Sequence, residues 1–382
     1  MPENPQVSIL MITYNHEKYI AKAIDGVLMQ RVNFEYEIVI GDDFSTDNTR
    51  NILIKYATEY PDKICLLLHP RNLGPPNSPG KHNFVSTLKA CRGKFIALLE
   101  GDDYWTDPNK LQKQVDFLEK NPDFAICFHN MLMMYEDDPH MNRITNINQQ
   151  EITNIENLAY GNYIFTASCI FRKYLSEIPD WFYQCPIGDY PLHLLNAQYG
   201  KIKFIDEVMG VYRVHKGGIW ETKSWAYRKD KWAEMLDVIK DKFNEDINQI
   251  LNNRLHDSYF QLAEYYLQNR DFEKYKLYLM NIISGNPNYI VEAIKTIEGA
   301  KYDSIRKMRN SYSYKLGKII LRPIRIVKNQ GTILYYNKKI FENSLYNIVK
   351  NVITDTNNFF NNLQTSFTKL KNKFNIFKQS GF

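Results

Sequence analysis

The sequence predicts an α/β protein with a mostly parallel central sheet, followed by a helical C-terminal region. Three observations predict it. Short runs rich in Val, Ile and Leu alternate with helical patterns through the first third of the chain, and strands separated by helices of that length form right-handed βαβ units. The run Phe95-Ile96-Ala97-Leu98-Leu99 is continuously apolar, as in a strand buried on both faces. Beyond Trp220 the pattern turns helical.

In order, residues 7–13 (Val-Ser-Ile-Leu-Met-Ile-Thr) read as the first strand, and Ile20, Ala23, Ile24, Val27 and Leu28 mark a helix within 17–30. Glu37-Ile38-Val39-Ile40 is a second strand ending at Gly41-Asp42-Asp43, and Ser45, Thr46 or Asp47 can cap the helix running towards Tyr60. Residues 64–68 form a third strand, 81–91 a third helix and 94–99 a fourth strand. Leu111, Val115 and Leu118 place a helix in 108–120, closed by Asn121-Pro122, and Ala125 to Met133 is another strand. The segment 136–157, rich in Asn and Asp, reads as a mobile excursion, and a second core segment resumes from Ile164 to Tyr212. The expected domains are 1–225 for the α/β core, 226–300 for a helical appendage with one hairpin, and 301–382 for a basic amphipathic tail.

Composition narrows the class. The chain has 382 residues, 44% of them hydrophobic and 24% charged, which suits a globular protein with at least one large core. No run approaches the roughly 18 uncharged apolar residues of a membrane-spanning helix, and the start lacks the basic and apolar regions of a signal peptide. A cytoplasmic location is therefore expected. The cysteines, Cys65, Cys91, Cys127, Cys169 and Cys185, show neither metal-ligand spacing nor a disulfide framework and read as reduced core residues. Charge is uneven. Residues 301–382 hold 16 Lys and Arg against 3 Asp and Glu, out of 48 and 43 in the whole chain. Between 312 and 328, apolar Leu316, Ile319, Ile320, Ile324 and Val327 interleave with basic residues. That pattern suits an interfacial helix on an anionic membrane surface, on the inner face of the plasma membrane.

Chemistry concentrates at the carboxyl ends of the strands, where open α/β sheets bind ligands. Thr13-Tyr14-Asn15, Gly41-Asp42-Asp43-Phe44-Ser45, His69-Pro70-Arg71-Asn72-Leu73-Gly74 and Gly101-Asp102-Asp103 all follow strands. A capped Gly-Asp turn accounts for any one of them alone. Together they offer a stacking ring, acceptors for a base and ribose, and carboxylate for a metal–diphosphate. Adjacent aspartates repel unless a cation or donors balance them. A glycine-rich phosphate loop is absent, so metal and side chains have to meet the phosphate charge.

These segments resemble glycosyltransferase family 2, with the GT-A-type nucleotide-binding fold. The matching pieces are Val-Ser-Ile-Leu-Met-Ile-Thr-Tyr-Asn at 7–15, Glu-Ile-Val-Ile-Gly-Asp-Asp-Phe-Ser-Thr-Asp-Asn-Thr at 37–49, Arg-Asn-Leu-Gly at 71–74 and Glu-Gly-Asp-Asp at 100–103. The resemblance spans residues 5–220. It implies an inverting transfer of a sugar from a nucleotide-diphosphate donor, expected to be a UDP-sugar, to an acceptor hydroxyl. Tyr14 then matches the residue stacking on the base, with Thr13 and Asn15 beside it. Asp42 matches the acid accepting from the base edge, Arg71 the basic residue near it, and Asp43 a brace for the turn. Asp102 is expected at the ribose or metal shell. Asp103 is expected to bind Mn2+ or Mg2+, a Lewis acid towards the leaving group.

In Pro186-Ile187-Gly188-Asp189-Tyr190-Pro191-Leu192, Gly188 replaces the first acid of the family's Glu-Asp pair, leaving Asp189 as the candidate catalytic base. Tyr212-Arg213-Val214-His215 resembles the family's Tyr-Arg-x-His segment, so His215 is expected at the metal, with Arg213 and Lys216 offsetting phosphate charge. His16, His82, His129 and His193 lack such context and read as structural or surface residues. The expected partners are a nucleotide-sugar donor and a saccharide or lipid-linked saccharide acceptor of cell-surface polysaccharide or glycolipid synthesis, with no nucleic acid. A nucleotidyltransferase, or a nucleic-acid-binding module acting through the basic tail, are the competing readings.

Overall fold

The computed structural model describes residues 2–74, 80–175, 177–218, 220 and 222–285. The tail 301–382 with its amphipathic stretch, and residues 286–300 of the appendage, lie outside the described residues. The core elements follow the expected order: β1 (Val7–Thr13), α1 (Ile20–Leu28), β2 (Tyr36–Asp42), α2 (Thr49–Glu59), β3 (Ile64–Leu68), α3 (Lys81–Ala90) and β4 (Phe95–Glu100). A short β5 (Tyr104–Trp105), α4 (Lys110–Lys120) and the long β6 (Phe124–Tyr135) come next.

The strand order is β3-β2-β1-β4, with β1 parallel to β2 and β4 and β2 parallel to β3. The chain thus winds outward from β1 on one side, then returns to β4 on the other. That reversal opens a crevice beyond the carboxyl ends of β1 and β4. The sheet continues through β9 (Ile170–Arg172), which lies antiparallel to both β4 and β6, then β6 and β10 (Lys201–Val214), which run parallel, and ends at β5, antiparallel to β10. Val7, Ile9, Met11, Ile38, Ile40, Phe95, Ala97 and Leu99 form one buried cluster with Ile20, Ile24 and Val27 of α1. These strands read as continuous apolar runs because both faces are covered.

The polar excursion after β6 departs from the mobile segment expected. It folds back as β7 (Arg143–Ile144) against β6 and β8 (Ile152–Thr153) against β10, followed by α5 (Ile155–Ala159). Its polar side chains hold it there. Asn142 Oδ1 accepts from Tyr135 N at 2.8 Å, and Asn130 Oδ1 accepts from Asn146 N at 2.8 Å. Asn154 and Asn157 form a reciprocal cap on α5. Two-residue strands are too short to leave a period in the sequence.

After α6 (Asp189–Ala197) and β10 the chain is helical, with α7 (Trp225–Ile239), α8 (Glu245–Gln268) and α9 (Phe272–Gly285). One compact unit runs to Leu255 and a second begins at His256, so α7 and the first turns of α8 belong with the α/β core. In the second unit, Arg270 takes a left-handed φ of 59° between α8 and α9, and Asp271 Oδ1 caps α9 by accepting from Lys274 N. The rings of Tyr266 and Tyr278 stack 5.6 Å apart across this hairpin. None of the five cysteines forms a disulfide, and Cys91, Cys127, Cys169 and Cys185 are buried. No described helix is long and apolar enough to cross a membrane.

Candidate active site

The crevice is built from four strand ends. At the end of β1, Thr13 is buried while the Tyr14 ring is 44% exposed. Asn15 has a left-handed φ of 56°, a conformation asparagine tolerates. Its side chain ties two loops together: Oδ1 accepts from Thr46 N at 2.8 Å, and its own N–H donates to Ser45 Oγ at 2.9 Å. Asn15 is thus engaged in loop bracing.

At the end of β2 the adjacent aspartates divide their work. Asp42 is fully buried, and its Oδ2 accepts from Arg50 Nε at 2.6 Å and from Ser45 N at 3.1 Å. Its Oδ1 is buried without a partner. Asp43 Oδ1 accepts from Leu73 N at 2.7 Å, pinning the 71–74 loop. Arg71 is exposed on that loop. Arg50, whose guanidinium lies 5.0 Å from the Phe44 ring, was not picked out from sequence. Its only signal there is a cation one helical turn past the Asp-rich loop.

At the end of β4, Gly101 is required by space: a Cβ there would lie 2.8 Å from Thr13 Oγ1 and 2.9 Å from His16 Nδ1. The chain then turns so that Asp102 and Asp103 face opposite ways. Asp103 is 2% exposed, and its Oδ1 accepts from Arg213 N at 2.8 Å, fastening the β4 turn to β10. Burial first, and then the charges of Asp102 and Glu100, push its carboxyl well above the ordinary range. Asp102 is the aspartate presented to the crevice. Its Oδ2 lies 3.1 Å from His215 Nε2 and 3.7 Å from His16 Nε2. Burial works against its ionisation, but the hydrogen bond to His215 and the neighbouring imidazoles outweigh it and hold its pKa low. His16 thus stands in the site although sequence reading left it outside; it follows Asn15 by one residue, and that was the available signal.

Arg213 and Lys216 both have partners within the protein. The Arg213 guanidinium lies between the rings of Tyr104 and Tyr19, at 4.5 and 4.9 Å, and Nη1 donates to the Asp102 carbonyl at 2.7 Å. Tyr19 also packs on the His215 ring, with centroids 4.6 Å apart. Arg213 thereby holds the Asp102 turn. Lys216 is exposed and pairs with Asp137 at 3.4 Å. A small pocket of about 160 Å³ lies there, lined by Tyr135, Asp137, Met141, Val214, His215 and Thr222.

Asp189 opens α6, and its Oδ2 accepts from Asn162 Nδ2 at 2.9 Å. Burial raises its pKa, against the pull of backbone N–H groups and Asn162. Glu100 feels both Asp102 and Asp189. Burial and then both of those charges raise its carboxyl to about 8. Its Oε2 is also buried without a partner. Electrostatically, then, the three acids form one array.

Among the described residues no group of three His, Cys, Asp or Glu side chains forms a ready-made metal cage. The donor set at Asp102 nevertheless fits a divalent ion arriving with a diphosphate: one carboxylate oxygen facing imidazole nitrogens, with the remaining positions left to phosphate and water. Gly217 N donates to His215 Nδ1 at 3.2 Å, which leaves the ring proton on Nε2 towards Asp102. A cation would take that proton's place.

A mostly parallel α/β sheet with its acidic crevice at the β1–β4 reversal and a buried carboxylate at the start of α6 defines a glycosyltransferase of GT-A fold. The chain belongs to glycosyltransferase family 2: the model described as Glycosyl transferase family 2 matches residues 8–179. The uncharacterized protein Rv1520 of Mycobacterium tuberculosis is 38% identical over 249 residues, covering 62% of this chain and 68% of that protein. The Escherichia coli UDP-Glc:alpha-D-GlcNAc-diphosphoundecaprenol beta-1,3-glucosyltransferase WfgD is 36% identical over 115 residues, 30% of this chain and 42% of WfgD. The fold is also that of Staphylococcus aureus TarS 1–349 solved with UDP-GlcNAc, with a TM-score of 0.55 at 17% identity, covering 87% of this chain and 94% of that one. The nucleotidyltransferase reading falls away with this membership.

Proposed function

We propose that the protein transfers a sugar from a UDP-sugar, with inversion, to an acceptor hydroxyl in the synthesis of a cell-surface polysaccharide or glycolipid. The observation that carries this reading is the array of Asp102, Glu100 and Asp189, bounded by the unpartnered Asp42 Oδ1. It gives one crevice a base-edge acceptor, a diphosphate end and a proton acceptor. Asp42 accepts from the base N–H, Tyr14 stacks on the base, and Thr13 Oγ1, buried and unpartnered, lies in reach of the ribose side. Asp102 and His215 would hold Mn2+ or Mg2+, taking the role sequence reading gave to Asp103. When bound, the ion supplies Lewis-acid stabilisation of the departing nucleotide diphosphate.

Asp189 removes the proton of the acceptor hydroxyl as that oxygen attacks the anomeric carbon, and Asn162 orients it. Glu100, whose pKa is raised to about 8 by burial first and then by Asp102 and Asp189, adds little further negative charge beside the diphosphate. The UDP donor and the lipid-linked acceptor are supported by WfgD, whose name gives both for that enzyme. The peripheral contact with an anionic membrane rests on the basic composition of residues 301–382.

The test is release of UDP from a panel of UDP-sugars with Mn2+. Wild type releases UDP, and Asp102→Ala and Asp189→Ala do so at least about a hundredfold more slowly. Equal rates in the variants overturn the assignment.

A further inference from the structure

Lys81 is the first residue of α3, 6% exposed, and its Nζ is buried without a hydrogen-bond partner. The ammonium lies 5.6 Å from the centre of the Phe182 ring. Cys185 and Glu234 are the other titratable groups that act on it, and Glu234 is already paired with Lys231. The side chain runs alongside Gly188: its Cε would be 3.9 Å from a Cβ at that position. Gly188 is the N-cap of α6, directly before Asp189, and neither α3 nor α6 has a side-chain cap. The Lys81 side chain therefore reaches the N-terminus of α6, at the residue before the candidate base. Both the lysine and the helix N-terminus favour an anion, and an unpaired buried ammonium is costly until one arrives.

We propose that Lys81, with the first turn of α6, forms an anion subsite beside Asp189 that takes a phosphate or carboxylate group of the acceptor. The position rests on the reading of Asp189 as the acceptor-side base: an anion bound here sits next to the hydroxyl that Asp189 deprotonates. The subsite selects acceptors bearing negative charge near the reactive hydroxyl and orients them by that charge. Burial, only partly offset by Cys185 and Glu234, draws the Lys81 pKa down to about 8; a bound anion reverses that pull. The same chemistry could come from the donor diphosphate, and the two sources are separable.

The experiment uses the full chain, with inorganic phosphate and UDP as separate probes, read by thermal melting and calorimetry in wild type, Lys81→Met and Gly188→Asp. At ten times its Kd, phosphate raises the wild-type melting temperature by about 2–4 °C. Lys81→Met removes the unpaired charge, melts higher than wild type without phosphate, and loses the phosphate shift. Gly188→Asp, which has room for its Cβ, supplies an internal counter-ion and also loses the shift; it carries the test should Lys81→Met fail to fold. Unchanged UDP affinity in both variants assigns the anion to the acceptor. UDP affinity falling together with phosphate affinity overturns that assignment in favour of the donor. A wild type unmoved by phosphate, or variants shifted as much as wild type, overturns the subsite altogether. Neither readout needs sugar transfer, so failure here and failure of the proposed reaction are distinct results.

Discussion

Asp102 Oδ2 lies 3.1 Å from His215 Nε2, while Asp103, one residue on, spends its carboxylate on the backbone N–H of Arg213. The two neighbours are therefore expected to fail differently. Asp102→Asn weakens activation by Mn2+ and slows UDP release by about a hundredfold or more, with little change in melting temperature. Asp103→Asn retains an acceptor for Arg213 N and removes a buried charge, so it folds at least as well and keeps most activity. Asp103→Ala leaves that N–H unsatisfied and costs about 1–3 kcal/mol. A Mn2+ titration of UDP release beside thermal melts checks all three. An inactive but well-folded Asp103→Asn would restore the metal to Asp103.

The proposed contact of Asp42 with the base makes a prediction. Its unpartnered Oδ1 accepts and cannot donate. Uracil presents an N–H at its N3 edge and cytosine presents a lone pair, so UDP is expected to bind more tightly than CDP. Asp42→Asn can donate as well as accept and narrows the UDP/CDP ratio by about tenfold or more. It also leaves Arg50 without its counter-charge, so the melting temperature falls with it. Calorimetric titration with both nucleotides measures the ratio.

Much of this was legible in the sequence, and what was not has physical reasons. The buried runs and strand-end clusters mark the sheet and the crevice, because burial on both faces and ligand binding at a switch point leave local patterns. The division of labour between Asp102 and Asp103 is not local. It is set by a backbone amide in β10, more than a hundred residues away in sequence. The same holds for His16, which reaches Asp102 only because Gly101 lets the β1 and β4 ends touch. The tyrosine partners of Arg213, Tyr19 and Tyr104, escape a sequence reading because they come from other elements. The segment 136–157 reads as mobile because its Asn side chains bond to backbone across turns, which composition does not reveal.

The pH dependence rests on Asp189. A base works ionised, and burial raises its pKa above the usual carboxylate value of about 3.9. Activity is therefore full well above that raised pKa and falls as pH drops through it. Asn162 Nδ2 donates to Asp189 Oδ2 and favours the ionised form, so Asn162→Ala moves the acidic limb to still higher pH. A shift of one unit corresponds to about 1.4 kcal/mol. The measurement is UDP release against pH, with water as acceptor, in wild type and Asn162→Ala. An acidic limb that stays in place would remove Asn162 from the base's environment.

Arg213 carries the last prediction. Its guanidinium fills the space between Tyr19 and Tyr104 and donates to the Asp102 carbonyl, while Tyr19 packs on His215 and donates to Glu136 at 2.9 Å. One planar cation thus fixes both Asp102 and the imidazole facing it. Lysine keeps the charge but loses the flat fork that stacks and donates together. Arg213→Lys is expected to raise the Mn2+ concentration needed for half-maximal activity by about 10–100-fold, the range seen when support behind a metal ligand is removed. Rate at saturating metal recovers most of the wild-type value, because the ligands themselves remain. Tyr19→Phe keeps the ring and loses only the bond to Glu136, so its metal dependence stays close to wild type; Tyr19→Ala removes the stack and follows Arg213→Lys. If Arg213→Lys instead lowers the saturating rate with no change in metal dependence, its guanidinium acts on the phosphates directly.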